Sequence, residues 1–445
     1  MKKYWLKSGA FSFLGNGVTL AFAFFTFMVL VRILSQQEFG VWVLYLTVTT
    51  FAEILRNGIT QNAILKFLEG GKAADYSKIV TASLFINVMT GLLGYVVIVL
   101  LSSILSQVWK VPDLQAVLLL YGLYILFYMP LTFIQFVCMA NLEFKARFFT
   151  TLTYNTLNFL IVVGWCKFRG TVQLIELPVI QSISAAIALI QLIITSGKYI
   201  RLAWPIDWKW VSTLFHFGKY VFATAFSSML FNRMDLMMVG YFINPTAVAI
   251  YNIPMRLGNY VEVPMNTMVS IVFPKAAERM KEEGIHTVRY LYERSVGTML
   301  AIIVPCAIIL GVFARPIVLL VAGEQYLDAV PIMQVLAFVS VLKPFSRQGG
   351  TILDCIGYPN YNFYSLFLSL IINFGLNWLF IVKMGIIGAI YATLLSVAIG
   401  TFIQQILLVK LINITPSHPI HYMWAFYRDS FRKIKSLLKP AHAHQ

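Results

Sequence analysis

The sequence predicts an all-α membrane protein with about twelve transmembrane helices in two six-helix lobes, related by a parallel internal repeat. Of its 445 residues, 59% are hydrophobic and 12% are charged, whereas a soluble domain carries about 25% charged residues. Apolar stretches of about 20 residues recur from end to end, each long enough to cross a hydrocarbon core about 30 Å thick. The spans of the second half of the chain also follow one another in the same order as those of the first half. These three observations favour a multi-span membrane protein over a soluble one.

The twelve predicted spans leave no room for a soluble domain. They cover approximately 9–33, 41–64, 79–105, 114–140, 148–166, 177–195, 217–242, 248–273, 296–313, 329–353, 361–382 and 386–411. Strands of a membrane barrel would be shorter and would alternate strictly. We therefore expect helices, grouped as an N-terminal lobe (1–196), an amphipathic linker (197–216), a C-terminal lobe (217–411) and a basic tail (412–445).

The net charge of +16 is explained by topology and not by nucleic-acid binding. With the N-terminus inside, inner segments hold 23 Lys and Arg residues and outer loops hold 6, which is the bias expected when basic residues stay cytoplasmic. Both termini are therefore predicted to be cytoplasmic. The basic start at 1–7 precedes a run too long for a cleaved signal, so the first span is predicted to be an uncleaved anchor.

Two basic, aromatic stretches, 198–219 and 422–439, suit interfacial helices that lie on anionic membrane lipids. Plain solvated loops are the alternative. The four cysteines, Cys138, Cys166, Cys306 and Cys355, show no C-x-x-C spacing, so neither a disulfide framework nor a zinc site is predicted. We expect no cofactor and no metal.

A shift of 209 positions carries the first half of the sequence onto the second. It places Glu53 on Glu262, Asn57 on Asn266 and Lys66 on Lys275. Since each half has an even number of spans, the two halves have the same orientation, which predicts a parallel repeat about an axis along the membrane normal.

Ionisable side chains inside the spans are the informative residues, because each costs about 3 kcal/mol at mid-bilayer on insertion scales. Eight of them cannot face lipid: Glu53, Arg56, Arg233, Asp235, Arg256, Glu262, Lys343 and Arg347. Structural pairing of the acid and base within span 2, or within span 7, is one interpretation. Such pairing leaves a surplus of basic groups inside the spans, since five basic groups stand against three acids. A cationic interior suits an anion, and the planar arginine fork suits phosphate oxygens.

Polar side chains follow single faces of four spans at helical spacing. The stripes are Glu53, Arg56, Asn57, Thr60 and Gln61; Asn252, Arg256, Asn259, Glu262, Asn266 and Ser270; Ser340, Lys343, Arg347, Thr351 and Asp354; and Ser365, Ser369, Asn373 and Asn377. Such stripes predict a water-filled cavity lined by hydrogen-bonding groups. The asparagines Asn57, Asn259, Asn266, Asn373 and Asn377 are candidates for hydrogen bonds to a molecule in that cavity. The acids Glu53, Asp235 and Glu262 are candidates for coupling to protons or sodium.

Four further stretches resemble the multidrug/oligosaccharidyl-lipid/polysaccharide exporter superfamily, specifically its polysaccharide flippases of the Wzx type. They are 32–42 (RILSQQEFGVW), 232–257 (NRMDLMMVGYFINPTAVAIYNIPMRL), 323–337 (GEQYLDAVPIMQVLA) and 385–397 (GIIGAIYATLLSV). None is a catalytic signature, so the resemblance rests on their order and spacing over nearly the whole chain.

The resemblance implies a two-lobed flippase of the bacterial inner membrane that moves a polyprenyl-diphosphate-linked oligosaccharide outward by alternating access, as in O-antigen synthesis. Polysaccharide polymerases or glycosyltransferases are implied as partners. The family's cationic cavity is carried over by position within spans onto Arg56, Arg233, Arg256, Lys343 and Arg347. These five are the predicted diphosphate-binding residues. By the same resemblance, the candidates for sugar contacts are Asn57, Asn259, Asn266, Asn373 and Asn377.

Three alternatives remain open at the level of sequence. A multidrug/cation antiporter shares the superfamily fold, but cationic drugs favour an acidic cavity. A peptidoglycan-precursor flippase typically has fourteen helices. A membrane polymerase or glycosyltransferase usually needs a large outer loop or a D-x-D site, and the largest outer segment, 315–328, is short. No G-x-x-x-x-G-K-[ST] loop occurs. We therefore expect a transporter and not an enzyme.

Overall fold

The computed structural model describes residues 2–68, 74–262, 265, 268, 272 and 285–438, and within these ranges the regular structure is helical. The helices are α1 (Lys2–Ile33), α2 (Gln36–Phe67), α3 (Tyr76–Val108), α4 (Pro112–Ala140), α5 (Phe144–Arg169), α6 (Glu176–Ser196), α7 (Trp208–Phe242), α8 (Pro245–Val261), α9 (Ile285–Val312), α10 (Ala314–Val321), α11 (Ala329–Cys355), α12 (Pro359–Met384), α13 (Ile386–Ile412) and α14 (His418–Leu438). Each of the twelve predicted spans overlaps one of α1–α9 or α11–α13, and most of the eighth span after residue 262 lies outside the described residues. The predicted all-α membrane fold with about twelve spanning helices is confirmed.

Eight helices in the described ranges are long and apolar enough to cross a membrane: α2, α3, α4, α6, α9, α11, α12 and α13. The other four predicted spans are less apolar or shorter than these eight, and their residues and lengths explain why. The apolar part of α1 covers only Gly17–Ile33. Basic residues lie in α5, and Arg233 and Asp235 lie in α7. The described part of α8 is 17 residues long. Polar content in a helix of a membrane bundle points to protein-facing surfaces.

Two compact units contain most of the contacts, residues 1–249 and residues 250–445. In the first unit, α2 is central and packs against α3, α4 and α7. The approach of α2 to α7 depends on Gly218, where an added β-carbon would clash with the carbonyl oxygen of Ile59. By these contacts α7 lies with the first unit, although the sequence groups it with the second lobe. The predicted lobe boundaries stay predictions, because contacts do not tell which helices move together.

The segment that joins α6 to α7 is fastened to α3 and to the turn before α5. The Tyr76 hydroxyl donates to the carbonyl oxygen of Tyr199 at 2.8 Å, and the Tyr199 hydroxyl donates to Glu143 at 2.7 Å. The amide of Ala203 donates to Thr81 at 2.8 Å. A short 3₁₀ turn covers Gly197–Tyr199, and α-helix begins only at Trp208. The prediction of an interfacial helix from 198 onward is therefore wrong for 200–207, which these hydrogen bonds hold in an irregular path.

The C-terminal helix α14 packs closely on α9 within the second unit. A β-carbon added to Gly297 would lie 2.5 Å from Cβ of Tyr422, so the two backbones nearly touch there. Glu293 of α9 is 2% exposed and accepts hydrogen bonds from the Thr415 amide (2.9 Å) and from Nδ1 of His418 (2.9 Å). A buried carboxylate satisfied by several donors is a strong local anchor. The predicted helix in the tail is confirmed, and its contact with lipid stays a prediction.

Candidate functional site

Arg56 lies in the interior of the first unit, in the middle of α2. Its side chain is fully buried. One terminal nitrogen forms an ion pair with Glu53, one turn earlier on the same helix. The other donates to Oγ1 of Thr132 at 2.7 Å and to the carbonyl oxygen of Met129 at 3.3 Å, both on α4. It also reaches Oδ1 of Asn87 on α3 at 3.4 Å. Arg56 therefore ties α2 to α3 and α4.

The Glu53 carboxylate is the acceptor at the centre of this network. Besides Arg56, it accepts from the Tyr121 hydroxyl at 2.7 Å and from Nδ2 of Asn57 at 3.3 Å. Its side chain is 16% exposed. The pair is thus neutral and almost completely enclosed. The structural pairing considered from the sequence is what the structure shows for Glu53 and Arg56, and a contact of Arg56 with substrate stays a prediction.

Arg233 and Asp235 lie in the second half of α7. Residues two positions apart on a helix point to different faces. Asp235 is 4% exposed, whereas Arg233 is half-buried. Their predicted roles in binding and coupling stay predictions.

In the second unit, Glu262 at the end of α8 forms an ion pair with Lys343 of α11. The two side chains are 25% and 28% exposed, so the pair is only partly enclosed. The structure thereby brings a predicted coupling acid together with a predicted substrate-binding base, a pairing the sequence does not reveal because 81 positions separate them.

Two arginines continue the polar faces of these helices. Arg256 is half-buried on α8, beside Tyr260 one turn later, and Arg347 is exposed on α11, one turn after Lys343. Asn259 on α8 is exposed, and Asn252 one turn before Arg256 is buried. The predicted stripe on α8 is therefore covered at one end and open towards Asn259. Asn266 and Ser270 lie outside the described residues.

Asn373 and Asn377 face the neighbouring helix α13. They are 2% and 0% exposed. Nδ2 of Asn373 donates to Oγ of Ser396 at 3.0 Å, and Nδ2 of Asn377 donates to Oδ1 of Asn373 at 3.1 Å. The bond to Ser396 fastens α12 to α13, as polar side chains do between membrane helices, and the bond between the two asparagines lies within α12. Contact with a sugar, which stays a prediction for both residues, would require this surface to open.

Of the eight charged residues singled out in the predicted spans, two basic residues form ion pairs with two of the acids. Arg56 pairs with Glu53 and Lys343 pairs with Glu262. The other four, Arg233, Asp235, Arg256 and Arg347, also interact with other parts of the protein. The surplus of basic over acidic groups inside the spans therefore stays a prediction. No cluster of three or more metal-ligating side chains occurs in the described ranges.

Sequence reasoning missed an aromatic cluster beside Glu53. The rings of Tyr124 and Tyr128 stack at 4.7 Å, and the ring of Tyr154 on α5 lies 5.7 Å from that of Tyr128. The hydroxyls of Tyr124 and Tyr154 are 3.2 Å apart. The spacing of Tyr121, Tyr124 and Tyr128 by three and four positions is a helical-face signal that was available in the sequence.

A family model described as "Polysaccharide biosynthesis protein" matches residues 29–331, more than half of the chain. An uncharacterised membrane protein of Methanocaldococcus jannaschii is 30% identical over 206 residues, which are 46% of this chain and 40% of that protein. A probable low-salt glycan biosynthesis flippase of Haloferax volcanii is 23% identical over 229 residues, 49% of this chain and 48% of the relative. The chain thus spans less than half the length of these curated relatives.

Two solved structures share the fold. A multidrug resistance transporter of the MATE family and the MOP superfamily, in an inward-facing conformation, superposes with a TM-score of 0.73 at 12% identity over 88% of this chain and 95% of that one. A lipid II flippase in an inward closed conformation superposes with a TM-score of 0.69 at 13% identity over 99% and 94%. The predicted resemblance to the polysaccharide flippases of this superfamily is confirmed, and the chain belongs to the polysaccharide biosynthesis protein family.

Proposed function

We propose that this protein is a flippase that carries a polyprenyl-diphosphate-linked oligosaccharide from the cytoplasmic to the outer leaflet by alternating access. Membership of a polysaccharide biosynthesis family and similarity to a relative named as a probable glycan biosynthesis flippase support the substrate class. The shared fold of two transporters supports translocation over catalysis. The product would serve surface polysaccharide synthesis, of which O-antigen is one form.

The observation that carries the proposal is the cationic polar surface of the second unit. Arg256 and Arg347 lie on the faces of α8 and α11 that also bear the Glu262–Lys343 pair. A diphosphate brings two or more negative charges into a region of low dielectric constant, where arginine and lysine stabilise it most. A cationic drug would find no comparable acidic surplus there.

Arg56 and Arg233 are proposed as weaker contributors to substrate binding. Arg56 already has Glu53 as its counter-ion and the α3 and α4 oxygens as acceptors. A joint grip by Arg56, Arg256 and Arg347 stays a prediction, since they belong to different units.

Coupling to an ion gradient is proposed to act through Glu262, because protonation of this carboxylate would release Lys343 to the substrate. Glu53 and Asp235 stay as further coupling candidates. Asn57 and Asn259 are proposed sugar contacts, since both are at least partly exposed.

We propose that the protein lies in the cytoplasmic membrane, bacterial or of similar organisation, with both termini inside and α14 on anionic lipid. Exposed Trp424 and Phe431 with Arg428 support the lipid contact, because aromatic and basic side chains favour the interface. A polymerase or glycosyltransferase would act before or after the transport step.

Replacement of Arg256 tests the proposal. The assay is surface glycan in a strain that depends on this protein for export, with the membrane level of each variant measured. Loss of a charge-assisted hydrogen bond costs about 1.5–3 kcal/mol, or roughly tenfold to 150-fold in binding. We expect Arg256→Ala to abolish most export, Arg256→Lys to keep part of it, and Arg315→Ala, an exposed control outside the predicted spans, to export normally. Normal export by a well-expressed Arg256→Ala protein would contradict the proposed site.

A further inference from the structure

A polar stripe runs along one face of α5 inside the first unit. Arg147, Thr151, Tyr154 and Asn158 follow one another at spacings of four, three and four, so they share a helix face. All four side chains are half-buried. The helix packs with α1, α6 and α4. This stripe adds polar side chains to α5 beside its other basic residues, and neither the ion pairs nor the polar stripes described above include it.

Arg147 is the charged end of this α5 stripe. Neither a hydrogen bond nor an ion pair to its guanidinium is found among the described residues. Its electrostatic neighbour is the phenol of Tyr128 on α4. A half-buried cation without an acceptor has lost part of its hydration and gained nothing in return. Such a group is suited to an anion that arrives from outside the protein.

Tyr154 connects the α5 stripe with the aromatic cluster on α4. Its ring lies 5.7 Å from that of Tyr128, which in turn stacks on Tyr124. Aromatic faces carry partial negative charge and attract the polarised C–H groups of a pyranose ring. The three tyrosines therefore offer a wall for a sugar directly beside the cation.

Asn158 ends the α5 stripe with an unused donor. Its Nδ2 atom is buried and has no hydrogen-bond partner. A buried amide without an acceptor costs free energy that a sugar hydroxyl would recover. Arg147, Tyr154 and Asn158 thus follow one another along α5, and the two tyrosines of α4 lie beside Tyr154.

We propose that the α5 stripe is a binding subsite for a lipid-linked glycan in which Arg147 binds the phosphate and Tyr128, Tyr154 and Asn158 contact the first sugar. The inference rests on the proposed flippase function and adds to it a binding surface in the first unit. In the predicted orientation α5 begins at the cytoplasmic face, so Arg147 would meet the diphosphate early in transport.

Binding to the purified full-length protein in detergent tests the role of Arg147. The probes are farnesyl diphosphate, inorganic diphosphate and phosphatidylglycerol, and binding is followed by intrinsic fluorescence. We expect Arg147→Ala to weaken farnesyl diphosphate binding by about tenfold to 150-fold, the equivalent of one charge-assisted hydrogen bond. The control Lys145→Ala removes an exposed cation from the same helical turn and should change binding less than twofold. If Arg147→Ala loses phosphatidylglycerol binding to the same extent, the α5 stripe is an ordinary lipid site and the glycan-lipid subsite is overturned. The subsite is also overturned if Arg147→Ala keeps the wild-type affinity for inorganic diphosphate.

Thermal stability separates binding from a structural role. Removal of an uncompensated cation should leave the melting temperature of Arg147→Ala unchanged or raise it, whereas a fall in melting temperature that parallels the loss of binding would overturn the inference. If the wild type binds farnesyl diphosphate and Arg147→Ala binds it equally well, the subsite is wrong and the proposed function stands. If the wild type binds no farnesyl diphosphate, the proposed substrate class fails.

The sugar contact has its own probe, farnesyl diphosphate that carries N-acetylglucosamine. Asn158→Ala should weaken binding of this probe by about two- to tenfold, as expected for one neutral hydrogen bond, and leave plain farnesyl diphosphate unaffected. Equal effects on both probes would overturn the assignment of Asn158 to the sugar.

Discussion

Replacement of Arg56 by methionine should destabilise the protein strongly, because this side chain is the buried link between three helices. The substitution removes the counter-ion of Glu53 and the donors to Thr132, Asn87 and Met129. Removal of one partner from a buried ion pair typically costs about 3–5 kcal/mol. Arg56 is fully buried, so solvent screening reduces this figure little. We therefore expect Arg56→Met to lower the free energy of unfolding by about 3–5 kcal/mol.

A second substitution distinguishes an uncompensated charge from lost packing. Glu53→Gln in the Arg56→Met background removes the carboxylate that would otherwise remain without its counter-ion. Contacting pairs in one network show coupling energies of about 0.5–3 kcal/mol, so the double variant should be more stable than Arg56→Met. Arg315→Met, which removes an exposed arginine from α10, serves as the control and should cost little stability.

The assay is equilibrium unfolding in mixed micelles, in which sodium dodecyl sulfate displaces a mild detergent and tryptophan fluorescence reports the folded fraction. The reasoning would be refuted if Arg56→Met were as stable as the wild type while glycan export was lost. That result would assign Arg56 to the substrate, as the sequence predicted, and not to the fold.

Two further predictions concern helix packing and the cross-helix ion pair. Gly40→Ala should destabilise the protein by about 1–3 kcal/mol through overpacking, since its β-carbon would clash with the carbonyl oxygen of Pro245. The control is Gly375→Ala, where a β-carbon meets nothing within 4 Å. Equal folded yields of the two variants would show that the close contact at Gly40 does not limit stability. Glu262→Lys and Lys343→Glu should each reduce export, and the double variant that carries both substitutions should recover part of it because the ion pair is restored. A double variant that exports no better than the single variants would show that the two side chains do more than attract each other.

The sequence predicted the helices well because hydrophobic length is a strong signal in membrane proteins. The predicted span at 114–140 corresponds to α4 (Pro112–Ala140), and that at 386–411 to α13 (Ile386–Ile412). Helix ends followed local signals, as at Ser35, whose side chain and that of Glu38 cap each other's backbone amides at the start of α2. The irregular path after Tyr199 was not predictable, because tertiary hydrogen bonds create it.

The candidate site was predictable in residue type but not in pairing. Helical spacing suggested that Glu53 and Arg56 could meet, and they do. The same spacing placed Asn377 on a polar stripe, yet could not tell whether water or α13 faces it. Arg147 was counted with the cytoplasmic loop because hydropathy places the start of the span one residue later. Long-range partners such as Glu262 and Lys343 carry no local signal at all.

Reconstituted translocation is the most direct test that this protein moves a lipid-linked glycan across a membrane. The protein is incorporated into liposomes with a fluorescent, short-chain polyprenyl-diphosphate-linked disaccharide, and a membrane-impermeant reductant reports how much label reaches the outer leaflet. We expect wild-type protein to raise the rate at which the label becomes accessible and Arg256→Ala not to raise it, while a labelled phospholipid moves equally slowly with both. Equal label accessibility in protein-containing and protein-free liposomes, with a cationic drug transported instead, would contradict the account.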